Sequence, residues 1–312
     1  MSFAIVFPGQ GSQSIGMLSA AAQHYPIVRE TFAEASEALG WDLWGLTQTG
    51  PEAELNRTER TQPALLAASV ALWRAWRERQ PQVPAAMAGH SLGEYSALVC
   101  ADAMAFGDAV RLVARRGQLM QQAVPEGEGA MAAIVGLADD EVSELCSRMA
   151  QGAVLEPVNF NAPGQVVIAG ARHAVERAVG AAKESGAKLA RMLTVSVPAH
   201  SSLMRAAADE FEGTLRAVSI RPPAVPVIHN LDAAPHAEAQ AIREALVAQL
   251  YHPVRWTQSM QRMIRDGAEL FIECGPGKVL CGLLRRIDRR VRGLPLSEPN
   301  DMDAALAALE KG

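Results

Sequence analysis

A serine flanked by glycines stands between a strand-like segment and a helical one. Gly89-His90-Ser91-Leu92-Gly93 fits the pattern G-x-S-x-G, whose glycines permit a sharp strand-to-helix turn that exposes the serine hydroxyl. Backbone N–H groups at the start of the following helix, beginning with Leu92, can stabilise an oxyanion. The pattern predicts a nucleophilic Ser91; a glycine-rich turn with a capping serine is the structural alternative.

A nucleophilic serine needs a general base, and the chain offers seven histidines. His90 lies inside the turn, where proton abstraction from its own neighbour is geometrically awkward. His200 follows the strand-like residues 195–197 and so lies at a strand end, where α/β proteins place their functional residues. Spacing alone favours His200 and leaves His229 as its closest rival.

One arginine falls on the apolar face of a predicted helix. In the helix predicted over 107–123, Arg116 shares the apolar stripe, whereas Arg111 and Arg115 lie on the polar side. A buried guanidinium is costly unless paired, and its fork of donors matches a carboxylate at two points. Arg116 therefore indicates either a structural pair with an internal Asp or Glu, or a substrate with a free carboxylate.

Two other glycine-rich loops do not fit nucleotide binding. The loop over residues 7–13 lacks the third glycine of a dinucleotide fingerprint, and residues 275–279 lack the Ser or Thr of a Walker loop. The first loop can still bring the backbone N–H of Gln10 close to Ser91, as a second oxyanion donor from another strand end.

The elements that must position these residues follow an α/β pattern with a largely parallel sheet. Strands are predicted over 3–7, 84–88, 225–229 and 269–273, and helices over 28–39, 60–79, 107–123, 201–217, 238–250 and 256–266. Between them the order becomes βαββαβ, over 130–136, 138–150, 153–159, 165–169, 172–185 and 188–197, which is the ferredoxin-like unit. We therefore expect a large domain in two parts, 1–127 and 198–312, and an inserted small domain, 128–197.

Bulk properties indicate a soluble enzyme. The chain has 312 residues, 49% hydrophobic and 20% charged, which is average for globular proteins. No signal peptide and no apolar stretch of roughly 20 residues is recognised, so we expect a cytoplasmic protein without membrane contact. The four cysteines show no metal or disulfide spacing, and the net charge of −5 argues against nucleic-acid binding.

Five separated motifs together resemble the malonyl-CoA:acyl carrier protein transacylase family. They are Phe7-Pro8-Gly9-Gln10-Gly11-Ser12-Gln13, Gly89-His90-Ser91-Leu92-Gly93-Glu94-Tyr95, Arg115-Arg116-Gly117, Val195-Ser196-Val197-Pro198-Ala199-His200 and Gln249-Leu250-Tyr251. The resemblance extends over essentially the whole chain. It implies an α/β-hydrolase-like large domain with a ferredoxin-like insertion, in agreement with the predicted elements.

The resemblance also implies a role for each motif residue. Ser91 would be the nucleophile and His200 the general base, while Arg116 would bind the malonyl carboxylate. The backbone amides of Gln10 and Leu92 would form the oxyanion hole. A carbonyl of a glutamine, here Gln249, would orient the histidine, a role for which hydrolases use Asp or Glu. We expect this uncharged orienter to suit a thiol acceptor and to activate water poorly, with Gln249→Asp or Gln249→Glu as the test.

Two positions depart from the family pattern. Ala199 stands where the family usually has Ser, which leaves the preference between malonyl and bulkier acyl groups open, and His229 stands where Asn is common. The implied partners are malonyl-CoA and an acidic acyl carrier protein. Its docking requires local positive charge, and the densest basic cluster contains Arg285, Arg286, Arg289, Arg290 and Arg292; a solvated helix face is the alternative.

The expected activity is malonyl transfer from malonyl-CoA to the carrier's phosphopantetheine thiol for fatty acid biosynthesis, by a monomer without metal or other cofactor. Three alternatives remain at this stage. A serine hydrolase or thioesterase would share the turn but would need an acidic triad member. The malonyl transferase of a malonate decarboxylase system would differ only in its acceptor. A non-catalytic carrier-binding module would require an inactive site, whereas each position to which the resemblance assigns a catalytic role holds a suitable residue.

Overall fold

The computed structural model describes residues 1–195 and 197–310, and nine strands lie in this part of the chain. They are β1 (Phe3–Phe7), β2 (Ala86–Gly89), β3 (Gly129–Val135), β4 (Leu155–Ala162), β5 (Gln165–Ala171), β6 (Leu189–Met192), β7 (Val227–Ile228), β8 (Leu270–Glu273) and β9 (Arg292–Pro295).

Helices α1 to α13 connect the strands, and α14 follows the last strand. They are α1 (Ser19–His24), α2 (Pro26–Leu39), α3 (Leu43–Thr49), α4 (Glu52–Leu55), α5 (Thr58–Arg79), α6 (Gly93–Cys100), α7 (Phe106–Gln122), α8 (Asp139–Ala150), α9 (Arg172–Glu184), α10 (Arg205–Arg216), α11 (Ala239–Gln249), α12 (Trp256–Arg265), α13 (Val279–Ile287) and α14 (Pro299–Glu310). None of the helices within residues 1–195 and 197–310 has the length and apolarity needed to cross a bilayer.

The larger sheet is parallel and has the strand order β7-β2-β1-β8-β9. Its central strands are short and apolar, and β1 is buried at every position because helices cover both faces of the sheet. The prediction of an α/β fold with a parallel sheet is confirmed. Since parallel strands end at the same edge, the loops after β1, β2 and β7 lie next to one another.

The smaller sheet is antiparallel and has the order β4-β5-β3-β6. In this order β5 lies between β3 and β4, the strands that α8 connects, as the βαββαβ pattern predicts. Helices α8 and α9 pack on one face over a separate apolar core that includes Ile134, Val142 and Ile168. A core of its own is what an inserted domain requires, although the boundaries 127/128 and 197/198 themselves stay predictions.

One predicted strand is wrong in its length. β6 ends at Met192, not at residue 197. Residues 193–195 and 197–201 form neither strand nor helix, and Ser196, which the predicted strand included, lies outside the described residues. Leu193, Val195 and Val197 turn into a cavity between the sheets, so their alternating apolar pattern reflects a cavity lining instead of a strand. Similarly, the predicted strand 225–229 is only two residues long, and α1, α3, α4, β9 and α14 were not predicted.

Candidate active site

Ser91 occupies a strained turn between β2 and α6. Its φ is +52°, in the left-handed region that non-glycine residues rarely adopt. A Cβ atom on Gly89 would lie 1.8 Å from the carbonyl carbon of Gly93, and one on Gly93 would lie 2.2 Å from the Phe7 oxygen. Both glycines are therefore required by close packing around the turn, which projects the serine hydroxyl beyond the sheet.

His200 contacts the serine directly. The Ser91 Oγ and His200 Nε2 atoms are 2.7 Å apart, and His200 is only 3% exposed. His200 Nδ1 lies 2.6 Å from the backbone oxygen of Gln249, which can only accept, so Nδ1 carries the proton and Nε2 is free to receive one. The geometry is that of a general base poised beside a nucleophile.

Two details of the sequence-based site need correction. His200 lies in a loop with φ of +65°, not at a strand end, and its backbone N–H donates to Leu250. At Gln249 it is the main-chain carbonyl that orients the histidine. A Gln249→Asp or Gln249→Glu change would therefore place no carboxylate at His200 Nδ1, and the test based on that side chain is unsuitable.

The rival histidines are held elsewhere. His229 is fully buried, and its Nδ1 lies 2.8 Å from Glu94 Oε1. His90 Nε2 lies 2.7 Å from Asn161 Oδ1 on β4. Of the candidates weighed from sequence, only His200 contacts Ser91 among the described residues.

Arg116 is buried on α7, as its position on the apolar stripe predicts, with 1% exposure. Close contact of Gly117 with Glu59 brings α7 against α5 and places Arg116 beside Gln62. Its Nη1 donates to Gln62 Oε1 at 3.0 Å and its Nη2 to Gln249 Oε1 at 2.9 Å, while Nε has no partner within the described residues.

Within the part of the chain that the structure describes, no acidic side chain forms an ion pair with Arg116. The ion pairs found in residues 1–195 and 197–310 do not include it. Burial lowers the pKa of Arg116, since desolvation disfavours the charged guanidinium. Two of its five N–H donors are used by neutral amides, so donors remain for a carboxylate brought by a ligand.

The two expected oxyanion donors lie on neighbouring loops. Leu92 opens α6, and Gln10 lies in the loop after β1, whose Phe7 pairs with Gly89 of β2. Neither backbone N–H donates a hydrogen bond within the described part of the chain. Both therefore remain available to an oxygen bound at Ser91.

These groups meet in one cavity of about 250 Å³ between the two sheets. Its lining includes Gln10, Ser91, Leu92, Arg116, Ala199 and His200. The opposite wall comes from the smaller sheet and the loop after it; it contains the apolar Met131, Val167 and Leu193 and the polar Asn159, Asn161 and Gln165. The cavity thus combines a nucleophile, a base and a buried cation with a partly apolar wall.

A model of the acyl transferase domain family matches residues 4–295. The malonyl CoA-acyl carrier protein transacylase of Salmonella typhimurium is 58% identical over 304 residues, covering 97% of this chain and 98% of that protein. The chain belongs to the malonyl CoA-acyl carrier protein transacylase family. The protein of the same name from Bacillus subtilis is 43% identical over 309 residues, which are 99% of this chain and 97% of that one. As a member of the family, the chain is an acyltransferase.

Solved transacylase structures share the fold. The malonyl CoA-acyl carrier protein transacylase from Coxiella burnetii has a TM-score of 0.97 and 50% identity, covering 98% of this chain and 97% of that one. A malonyl-transacylase solved in complex with a type II PKS acyl-carrier protein has a TM-score of 0.97 and 52% identity, covering 99% of this chain and 100% of that one. The predicted two-part α/β fold is confirmed.

Sequence reasoning missed Asn230, which holds this transacylase's serine turn in place. Asn230 Oδ1 accepts from the Ser91 N–H at 2.7 Å, and its Nδ2 donates to the Gly89 oxygen at 2.7 Å. A signal was present in the sequence, because Asn230 comes immediately after the predicted strand 225–229. Gln62 was also missed, since nothing local links it to Arg116.

The environment of His200 predicts how acyl loading depends on pH. Burial, and after it the positive charge of Arg116, lower the pKa of His200 to about 3. A lowered pKa means that the unprotonated form, which accepts the serine proton, persists into acid. We expect kcat/KM for loading from malonyl-CoA to stay level between about pH 8 and pH 5, the interval in which an ordinary histidine would become protonated.

Rapid-quench measurement of loading at each pH checks this expectation. Near-UV circular dichroism at the same pH values separates unfolding from titration of the base. Half-loss of the loading rate near pH 6.5, with the fold intact, would contradict a base whose pKa is lowered by its surroundings.

Proposed function

We propose that the enzyme transfers the malonyl group from malonyl-CoA to the phosphopantetheine thiol of acyl carrier protein, in fatty acid biosynthesis, through a malonyl ester on Ser91. The observation that carries the proposal is one cavity with a Ser91–His200 pair and a buried Arg116 that has unused donors. Relatives of this name cover almost the whole chain, and a similar transacylase has been solved with a carrier protein. Neither the hydrolase nor the malonate decarboxylase alternative has support from these relatives.

In the loading step, Arg116 holds the free carboxylate of the malonyl group by paired N–H donors. His200 Nε2 takes the Ser91 proton as Oγ attacks the thioester carbon, and the N–H groups of Gln10 and Leu92 receive the developing oxyanion. Collapse of the intermediate breaks the C–S bond, and the imidazolium returns the proton to the leaving CoA sulfur. The product is malonyl-Ser91 and free CoA.

The transfer step reverses these events with the carrier's thiol. His200 takes the thiol proton, sulfur attacks the Ser91 ester, and Oγ leaves with the proton from the imidazolium. Because the Gln249 backbone carbonyl is uncharged, it stabilises imidazolium less than a carboxylate does. A thiol needs less help from a base than water does, so this arrangement favours transfer over hydrolysis.

The transfer proposal is tested by recording intact masses. The purified enzyme is incubated with malonyl-CoA, and carrier protein bearing phosphopantetheine is then added. We expect a malonyl adduct on the enzyme that moves to the carrier. An adduct that is lost only to water would favour the hydrolase, and the absence of an adduct would overturn the Ser91 mechanism.

We also propose that the carrier docks on an arginine patch at the end of α13, made of Arg285, Arg286 and Arg289. All three side chains are exposed. The first half of the same helix lines the cavity with Val279, Leu280 and Leu283, so the patch continues a helix that borders the active site. Positive charge here complements an acidic carrier despite the net charge of −5. The monomeric state, the cytoplasmic location and the absence of a cofactor stay predictions.

Charge reversal tests the arginine patch. In the double variant Arg285→Glu, Arg286→Glu, we expect the KM for the carrier to rise about tenfold or more, while loading from malonyl-CoA changes by less than about twofold. The control is the double variant Arg148→Glu, Arg265→Glu, which changes the net charge equally at exposed sites on α8 and α12. Unchanged carrier kinetics, or equal losses in the control, would remove this docking site.

A further inference from the structure

A fully buried carboxylate lies beneath the active site and contacts neither the nucleophile nor the base. Glu94 belongs to α6, three residues after Ser91, and has no exposed surface. Its Oε2 accepts from the Gln249 side-chain Nε2 at 2.9 Å and from the Asn230 backbone N–H at 2.9 Å. Its Oε1 lies 2.8 Å from His229 Nδ1. One carboxylate thus joins α6, the loop after β7 and the end of α11.

The Gln249 amide connects Glu94 to Arg116. Its NH2 end faces two acceptors, Glu94 Oε2 at 2.9 Å and the Ser91 backbone oxygen at 3.0 Å, while its oxygen accepts from Arg116 at 2.9 Å. A flipped amide would set its NH2 group against the guanidinium donors and its oxygen against two other oxygens. Glu94 therefore helps to fix which end of the amide Arg116 meets.

Because the Gln249 amide is neutral, it leaves the charge of Arg116 and its remaining N–H donors free for a substrate carboxylate. A carboxylate in direct contact with Arg116 would neutralise the guanidinium and occupy the fork of donors that a substrate carboxylate needs. The amide oxygens of Gln62 and Gln249 hold the guanidinium without neutralising it. The orientation of the Gln249 amide is therefore a condition for selecting a carboxylated acyl group.

We propose that Glu94 is a positioning residue for acyl selection, which acts through the Gln249 amide to hold Arg116 ready for the substrate carboxylate. This inference rests on the proposed malonyl transfer. Glu94 is also hydrogen-bonded to Asn230, whose side chain holds the Ser91 turn that every acyl group uses. The connection through Gln249 leads to Arg116, which only a carboxylated acyl group uses. Loss of the Asn230 connection should therefore slow malonyl and acetyl loading alike, whereas loss of the Gln249 connection should slow malonyl loading alone.

Two substitutions separate the geometry of Glu94 from its charge. Glu94→Gln removes the charge but keeps an acceptor oxygen for Gln249 and Asn230, and its NH2 group can donate to His229 Nδ1. That change requires the other His229 tautomer, which displaces no bond because His229 Nε2 has no partner within the described residues. Glu94→Asp keeps the charge and withdraws both oxygens by about one C–C bond length, roughly 1.5 Å.

The readout is the ratio of acyl loading rates from malonyl-CoA and acetyl-CoA, measured by intact mass. We expect this ratio to fall about tenfold or more in Glu94→Asp and to stay within about threefold of wild type in Glu94→Gln. Glu273→Asp is the control for shortening a buried carboxylate: Glu273 is also fully buried and accepts from the backbone N–H groups of Leu280 and Cys281. Leu280 lines the cavity, but these hydrogen bonds lead to neither Gln249 nor Arg116, so the two loading rates should change together and their ratio should stay within about threefold of wild type.

An unchanged ratio in Glu94→Asp, or an equal fall in Glu94→Gln, would overturn the positioning role. If Glu94→Asp does not fold, Gln249→Asn shortens the same connection from its other side and keeps the main-chain carbonyl for His200; an unchanged ratio there would equally overturn it. Wild-type enzyme that loads no malonyl group would refute the proposed function itself, before any variant is compared.

Discussion

Replacement of Ser91 by alanine is expected to abolish the malonyl adduct and to lower transfer to the carrier by at least about 10⁴-fold. In the proposed mechanism the Ser91 hydroxyl oxygen forms the ester, and its proton leaves through the 2.7 Å contact with His200 Nε2. The remaining cavity can bind malonyl-CoA, and within residues 1–195 and 197–310 no nucleophilic side chain other than Ser91 makes a hydrogen bond to His200. Intact mass after incubation with malonyl-CoA, followed by the carrier assay, measures both losses.

The control for this substitution is Ser202→Ala. Ser202 Oγ also makes a hydrogen bond of 2.7 Å, but to the Glu156 carboxylate on the protein surface. This variant should load the malonyl group at about the wild-type rate, within about twofold. A malonyl adduct on folded Ser91→Ala would show that another side chain forms the ester and would refute the assignment of the nucleophile.

Replacement of Arg116 by alanine is expected to lower kcat/KM for malonyl-CoA by about 10²–10³-fold, since truncating one partner of a buried charged pair costs about 3–4 kcal/mol. Acetyl-CoA has no carboxylate to lose, so its loading should not fall in parallel. Arg116→Lys should also lose most of the malonyl activity, because an ammonium group cannot form the paired contact of a guanidinium. Loading rates with both CoA esters measure the difference.

Arg115→Ala is the matched control for Arg116. Arg115 is the preceding residue on α7, but it is partly exposed and pairs with Glu210 on the surface. Loss of a surface pair of this kind is worth at most about 1 kcal/mol and should leave malonyl selectivity unchanged. A folded Arg116→Ala variant that keeps its preference for malonyl-CoA over acetyl-CoA would refute the carboxylate-binding role.

The serine turn was predictable because its causes are local. The two glycines of G-x-S-x-G are required by atoms within a few residues of the turn or on the adjacent strand β1, and the apolar strand before it and the helix after it are visible in sequence. The periodicity around Arg116 likewise placed a charge on an inner face. The βαββαβ order predicted the smaller sheet, since strand order in that unit follows from short connections and handedness.

The choice of base was not decided by spacing. His200 comes shortly after the predicted strand 188–197 and His229 ends the predicted strand 225–229, and His200 in fact follows a loop. The tertiary structure separates them, because the end of α11 brings a backbone carbonyl to His200 Nδ1, whereas Glu94 holds His229 in the interior. Likewise, an alternating apolar pattern predicts a strand equally well when it lines a cavity, which is why β6 was predicted too long.

By itself the sequence determined the α/β class and a buried cation and predicted the inserted small domain and the nucleophile, because each depends on contacts close in the chain or on periodicity. Only the tertiary structure decided that Arg116 is held by neutral amides, that Gln249 orients His200 through its main chain, and that Glu94 and Asn230 support the site. These contacts join residues 49 to 155 positions apart. Their partners are chosen by the packing of whole helices and strands, which no local spacing specifies.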